Sequence, residues 1–298
     1  MTERPVLLVF GLGYTGRAIA RDALARGWAV RATVRAQPCG DGPAAPAGLT
    51  VCPFATADLA GVTHVVSTIP PADDADPVLA CHGAALAALP GLRWAGYLST
   101  TGVYGDRGGG WVDETTPPAP TGPRGALRLA VERAWEAAIG ARCALDLFRV
   151  AGIYGPGRAP FAAVRAGQAT RIVKPGHAFG RIHRDDIAAA VMAAAAQERP
   201  AGVRVLNLTD DLPAENAEVI AEAARLLGRP PPPAVPFAEA EAGMSPMARS
   251  FWAENRKVAS RATQAALGLA WRYPTYREGL AAILAEERGE GAGQQGEV

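Results

Sequence analysis

The stretch VFGLGYTGRA, residues 9–18, sets Gly11, Gly13 and Gly16 in a G-x-G-x-x-G spacing directly behind the apolar run PVLLVF, residues 5–10. A continuous apolar run ended by glycine reads as a strand buried on both faces. The residues after it read as a helix over about 14–26. A strand that turns through glycines into a helix leaves backbone N–H groups and the positive helix end open to a pyrophosphate, with no side chain in the way. Gly11, Gly13 and Gly16, with Tyr14 and Thr15 between them, are therefore expected to hold a dinucleotide.

Outward from this loop the rhythm continues. WAVRATV (28–34), LTVC (49–52), THVVST (63–68), RWAGYLS (93–99) and CALDLFRV (143–150) read as strands, with alanine-rich helical stretches at 75–89 and 124–139. Strand alternating with helix implies a parallel sheet covered on both faces. A helix near 184–197 leads to one more strand at 203–210 and a helix at 213–227, whereas the proline run at 229–237 reads as a stiff extended connector. The fold class expected is α/β, a doubly wound parallel sheet (Rossmann) with a smaller C-terminal substrate lobe. The dinucleotide-binding lobe takes residues 1–152 plus 183–210, the substrate lobe 153–182 plus 211–288, and 289–298 reads as a disordered tail.

The end of the second strand selects the dinucleotide. A carboxylate there accepts hydrogen bonds from an adenosine ribose, but this chain has RATVRAQ, with Arg35 nineteen positions after Gly16 and no acid until Asp41. An arginine pairs with a 2′-phosphate, so NADP is expected ahead of NAD. A solvated surface arginine is the competing reading, and Thr33 offers a hydroxyl donor beside it. The loop STIPP (67–71) follows the fourth strand, and such loops lie beside the ligand, which adds Ser67, Thr68 and Pro70 to the expected cofactor contacts.

Composition narrows the field of partners. The 298 residues carry a net charge of +1, so no broad electrostatic footprint points to nucleic acid or an anionic membrane. The apolar runs are strand-sized or broken, and nothing resembles a cleavable signal, which reads as a soluble cytoplasmic protein acting on a small molecule. Cys39, Cys52, Cys81 and Cys143 show no metal spacing, so no metal is expected and the thiols read as isolated and reduced. A homodimer is the assembly that exposed helices beside such a sheet favour.

VFGLGYTGRAIA, LSTTGVYGD followed by WVDETTPPAP, FRVAGIYGPG and RIHRDDIA together resemble the extended short-chain dehydrogenase/reductases, the NAD(P)-dependent epimerase/dehydratase superfamily, over about residues 5–210. RIHRDDIA, NLTDDLPA and YPTYREGLAAI are similar to an atypical branch of it. The resemblance implies a substrate-positioning hydroxyl at Thr100, three residues before Val103, and a cleft segment that brings Ala151 beside the nicotinamide. It also implies a Tyr-x-x-x-Lys pair, in which the tyrosine moves a proton and the lysine holds the nicotinamide ribose. Here Arg124 and Arg128 stand at those positions. The chain's only lysines are Lys174 and Lys257, with Thr170 and Ala253 four residues before them, so no such pair exists. Arg128 is able to hold the ribose as a cation, but Arg124 cannot act as an acid or base near neutral pH.

Two residues, or a water, are candidates for the missing proton transfer. Tyr104 lies in VYGD, and its alternative is aromatic packing at the cleft wall, as for Tyr154 in IYGP. His183 in RIHRDD has a suitable ordinary pKa, and its alternative is a hydrogen bond at the helix entry. Arg181 beside it is placed to hold an anionic group, Asp185 and Asp186 read as caps of the following helix, and His64 and His82 read as structural. The glycine-rich loop GDRGGGWVDETTPPAP reads either as a mobile lid or as a plain surface loop. The function expected is an NADP-dependent oxidoreductase or epimerase-like enzyme acting by hydride transfer on a small polar carbonyl or sugar-derived substrate. The alternative is a catalytically silent NADP(H)-binding sensor.

Overall fold

A computed structural model describes residues 4–35 and 46–294. The chain opens with β1 (Val6–Phe10), α1 (Tyr14–Ala25), β2 (Ala29–Val34), β3 (Leu49–Pro53), β4 (His64–Ser67), α2 (Pro77–Ala88) and β5 (Trp94–Thr100). Next come β6 (Trp111–Val112), α3 (Pro123–Ile139), β7 (Ala144–Val150), β8 (Gly152–Tyr154), α4 (Phe161–Arg165), β9 (Arg171–Val173), β10 (Arg181–His183), α5 (Arg184–Ala195) and β11 (Gly202–Leu208). The rest comprises α6 (Asn216–Leu226), β12 (Ala234–Pro236), α7 (Phe237–Glu241), α8 (Pro246–Trp252), β13 (Lys257–Val258), α9 (Arg261–Leu267) and α10 (Tyr276–Gln294).

Seven strands form one sheet in the order β11-β7-β5-β4-β1-β2-β3, and every pairing in it is parallel. This is the doubly wound arrangement expected from the alternating apolar runs. Side chains of β1 alternate between two cores: Leu7 and Val9 pack with α1 and α5, while Leu8 and Phe10 pack with α2 and α3. The strand order reverses between β1 and β4, so their carboxyl ends frame the crevice where such sheets take ligands. Phe10 lies in register with Ser67, and Thr100 with Val150, which sets the ligand-facing loops level along one edge.

The segments outside the sheet pair in short parallel ladders, β8 with β10, β9 with β12 and β6 with β13. Part of the proline run thus forms β12, a two-strand edge in which Val235 opposes Ile172, a place where prolines are tolerated. A third core, built from Tyr154, Phe161, Ile220, Tyr276, Leu280 and Ile283, sits under α6 and α10. The backbone of α10 carries on to Gln294, so residues 289–294, expected to be disordered, are helical, because hydrogen bonding propagates past the last apolar turn. Residues 295–298 lie outside the described residues, as do Cys39 and Asp41. Among the described residues, no helix is long and apolar enough to cross a membrane.

Candidate functional site

The three glycines of the loop have three different physical reasons. Gly11 has φ +93°, and a Cβ there would meet Thr68 Oγ1 and Ile69 Cγ1 at 2.9 Å. At Gly16 a Cβ would lie 2.1 Å from the carbonyl oxygen of Gly11, so only glycine lets α1 pack this close behind β1. A Cβ on Gly13 would meet nothing within 4 Å. Gly13 is the N-cap of α1, has no side-chain cap, and no acidic residue occupies the first turn. Uncapped N–H groups behind an open approach suit a pyrophosphate, so the residues present fit the cofactor that the sequence implies.

The neighbouring hydroxyls shape this loop. Thr68 Oγ1 donates to the Gly11 carbonyl (2.8 Å). Thr33 was expected as a donor to the cofactor, but it is fully buried and its Oγ1 accepts from Gly11 N–H at 3.1 Å, so it fixes the glycine loop instead. Ser67 is fully buried, and its Oγ has no hydrogen-bond partner. Thr15 is buried in the first turn, and Arg35 is exposed one residue past β2. Tyr14 reaches across the groove: its Oη donates to the Pro156 carbonyl (2.9 Å), and the guanidiniums of Arg158 and Arg184 lie 4.2 and 4.9 Å from its ring centre.

A cavity of about 750 Å³ opens at the carboxyl ends of β5 and β7, and Thr100, Pro70, Ala151 and Arg128 all line it, with Arg124 beside them. Thr100 sits at the end of β5, where its Oγ1 accepts from Gly102 N–H (3.1 Å) and leaves its own proton to donate. Gly125 lets α3 press against this turn, since a Cβ there would lie 2.7 Å from the Gly102 carbonyl oxygen. That contact brings the first turns of α3, and hence Arg124 and Arg128, to the cavity. Arg128 Nη1 donates to Tyr97 Oη (2.7 Å) and to the Leu98 carbonyl (3.0 Å). Arg124 lies over the ring of Phe251, 5.1 Å from its centre.

Neither proton-transfer candidate faces this cavity. Tyr104 is fully buried with its Oη donating to Asn207 Oδ1 (2.8 Å), and burial pushes its pKa up. The short helical turn after Thr100 rotates it away from the cleft and into the protein. His183 is 1% exposed, and its Nδ1 accepts from Asp185 N–H at 3.2 Å, which makes it the N-cap of α5. Burial lowers its pKa to about 4, so it is a neutral imidazole held between the rings of Tyr154 and Tyr273. The helix-entry reading therefore describes it, and the cap is His183 rather than an aspartate. Asp186 instead accepts from the N–H groups of Arg272 and Tyr273. Tyr154 does line the cavity, with its hydroxyl donating to the Thr275 carbonyl (3.3 Å). His82 bonds the Phe54 carbonyl and His64 packs edge-on to Trp28, both structural roles.

Several wall residues carried no signal in the sequence. Ser250, Phe251 and Trp252 of α8 close one side, and Glu254 and Arg256 form an ion pair (2.6 Å) at the lining. The glycine-rich loop is fastened rather than free to act as a lid. Arg107 and Gly109 N–H both donate to the Asn255 carbonyl, β6 pairs with β13, and Thr263 Oγ1 donates to Glu114 (2.6 Å). Among the described residues, no group of three or more His, Cys, Asp or Glu side chains is placed to hold a metal ion.

No protein-family model matches the chain, and no curated protein does. Among solved structures, the chain is similar to a conserved protein of unknown function from Silicibacter pomeroyi, with 43% identity over 95% of this chain and 99% of that one, and a TM-score of 0.85. It shares its fold with the human epimerase family protein SDR39U1, solved with NADPH (22% identity, 93% and 98% coverage, TM-score 0.72). The same holds for UDP-N-acetylglucosamine 4-epimerase from Bacillus cereus (15% identity, 94% and 98% coverage, TM-score 0.70).

Proposed function

We propose that the chain, which belongs to one family with the conserved Silicibacter pomeroyi protein and shares its fold with epimerase-family proteins, is an atypical, epimerase-like short-chain dehydrogenase/reductase, an NADP(H)-dependent oxidoreductase or epimerase-like enzyme acting on a small polar carbonyl or sugar-derived compound. The observation that carries this reading is the placement of two features at the carboxyl ends of one parallel sheet. The uncapped helix end behind Gly13 is one, and the cavity holding Thr100, Ala151 and Arg128 is the other.

When bound, the nicotinamide cofactor supplies or accepts a hydride. Thr100, whose oxygen already accepts from Gly102 N–H, donates its own proton to orient a substrate oxygen. Arg128 is held by Nη1 to neutral acceptors and offers its remaining N–H groups to ribose hydroxyls. Arg124 keeps its charge and stabilises negative charge on the reacting oxygen, while the proton itself comes from water. Arg35 is the proposed partner of the 2′-phosphate. Fluorescence titration with NADPH and NADH tests the reading: NADPH should bind more tightly, and Arg35→Glu should weaken it at least about tenfold. Binding of neither cofactor would sink it.

One observation favours the silent sensor as a second reading, since Tyr104 and His183 are both turned away from the cavity. Transfer of deuteride from labelled NADPH to any member of a carbonyl and nucleotide-sugar panel, lost in Thr100→Ala, would exclude it.

A further inference from the structure

We propose that the substrate carries a carboxylate or phosphate group, and that Arg181 receives this group on the Nε–Nη2 edge of its guanidinium. The proposal rests on the reading of the cavity as a substrate site and names the class of compound that enters it. Arg181 lines the cavity from β10. Both of its hydrogen bonds leave from one nitrogen: Nη1 donates to the carbonyls of Phe179 (2.9 Å) and Ala214 (3.0 Å). A guanidinium has five N–H donors, so the three on Nε and Nη2 are left on the edge that matches a planar carboxylate or two phosphate oxygens. An arginine fixed by its far nitrogen presents this fork already oriented.

Among the described residues, no carboxylate forms an ion pair with Arg181, Arg124 or Arg128. Glu254 lines the cavity, but it is engaged by Arg256 (2.6 Å) and by the Thr121 hydroxyl (2.6 Å). Asp210 is the acid whose charge acts most on Arg181, and burial pushes its pKa up to about 8. Asn216 adds a neutral donor on the same wall, since its Oδ1 accepts from Ile172 N–H and its amide nitrogen is left over. A cavity lined by three guanidiniums that no carboxylate pairs discriminates in favour of anions.

Two matched pairs of carbonyl compounds test this, levulinate against methyl levulinate and dihydroxyacetone phosphate against dihydroxyacetone. Each is titrated into NADPH-loaded protein while tryptophan emission is followed, Trp252 being in the cavity wall. The anionic member of at least one pair should bind at least about tenfold more tightly than its neutral twin. Which pair shows the preference separates a carboxylate from a phosphate source. Arg181→Gln should abolish the preference and Arg181→Lys should keep part of it, with NADPH affinity unchanged in both. Equal binding within both pairs, a preference that survives in Arg181→Gln, or no binding of any probe would overturn the proposal. Failure of wild-type protein to bind NADPH is a separate result that overturns the enzyme reading instead. Should Arg181→Gln fail to fold, protection of Arg181 from phenylglyoxal by phosphate or malonate, and not by malonamide, decides the matter in wild-type protein.

Discussion

Gly13 and Gly16 stand three residues apart in one motif, yet alanine at each should do opposite things. At position 16 the new methyl would lie 2.1 Å from the Gly11 carbonyl oxygen, nearly an ångström inside the 3.0 Å that real Cβ atoms essentially never breach. Relief requires α1 to back away from β1, but α1 is fixed by Ile19, Ala20 and Ala23, all fully buried. Overpacking of this kind costs about 2–3 kcal/mol. For a chain of this size that lowers Tm by roughly 3–5 °C. At position 13 nothing lies within 4 Å, so the fold loses under about 1 kcal/mol, the difference between glycine and alanine at an N-cap. The methyl nevertheless occupies the approach of the pyrophosphate and should weaken NADPH binding roughly 10-fold to 100-fold. Thermal unfolding by circular dichroism and NADPH titration on both variants separate the two effects. Gly13→Ala that binds NADPH like wild type would refute the assignment of the loop, and Gly16→Ala with an unchanged Tm would refute the packing account.

Further outcomes follow from buried polar groups. Glu132 and Arg149 form a buried ion pair (2.8 Å) that also receives the Ser99 hydroxyl, so Glu132→Ala should cost about 3–5 kcal/mol, whereas Glu132→Leu combined with Arg149→Met should cost far less, as urea denaturation of the set would show. Stability should peak near pH 6.5. Burial lowers the pKa of His64, His177 and His183 to about 4, so the unfolded chain takes up protons first and stability falls as pH drops from about 6.5 toward 4. Burial also raises Asp210 to about 8 and Asp186 to about 6; these act in the opposite sense, and above pH 6.5 the buried acid of Asp210 loses stability as pH rises to about 8. Asp210→Asn should remove that alkaline decline, measured by denaturant midpoints at pH 6.5 and 8. Tyr104→Phe loses one buried hydrogen bond and should cost about 1 kcal/mol or somewhat more, because Asn207 Oδ1 is left without that donor, while NADPH affinity stays unchanged.

The sheet was readable because parallel strands buried on both faces produce near-continuous apolar runs, as β1 (VLLVF) does. Pro70 was locatable because strand ends locate the loops beside the crevice, Thr100 and Ala151 because the family resemblance implied them, and the glycine spacing located α1. What residue type could not give was direction. Tyr104 and His183 have suitable chemistry, but a short helical turn directs the first inward and a helix start claims the second. The segments outside the sheet were legible only in outline, since ladders of two or three residues such as β6 with β13 are too short to leave a periodic signal. The α8 wall meets the cavity through tertiary contact alone.

Asn255 joins segments far apart in the chain. Its backbone N–H donates to Asp106 Oδ1, its carbonyl accepts from Arg107 and Gly109, its side-chain amide donates to the Gly176 carbonyl, and its Oδ1 accepts from Ala178 N–H. One residue thus knots three stretches of chain into a single rim, two of them more than seventy positions upstream of the third. One side of the cavity, lined by Trp252, Glu254, Arg256 and Val258, comes from chain that follows the last strand of the sheet. A ribosome that has released the whole sheet has still to supply that wall, so this side of the cavity is a late product of synthesis.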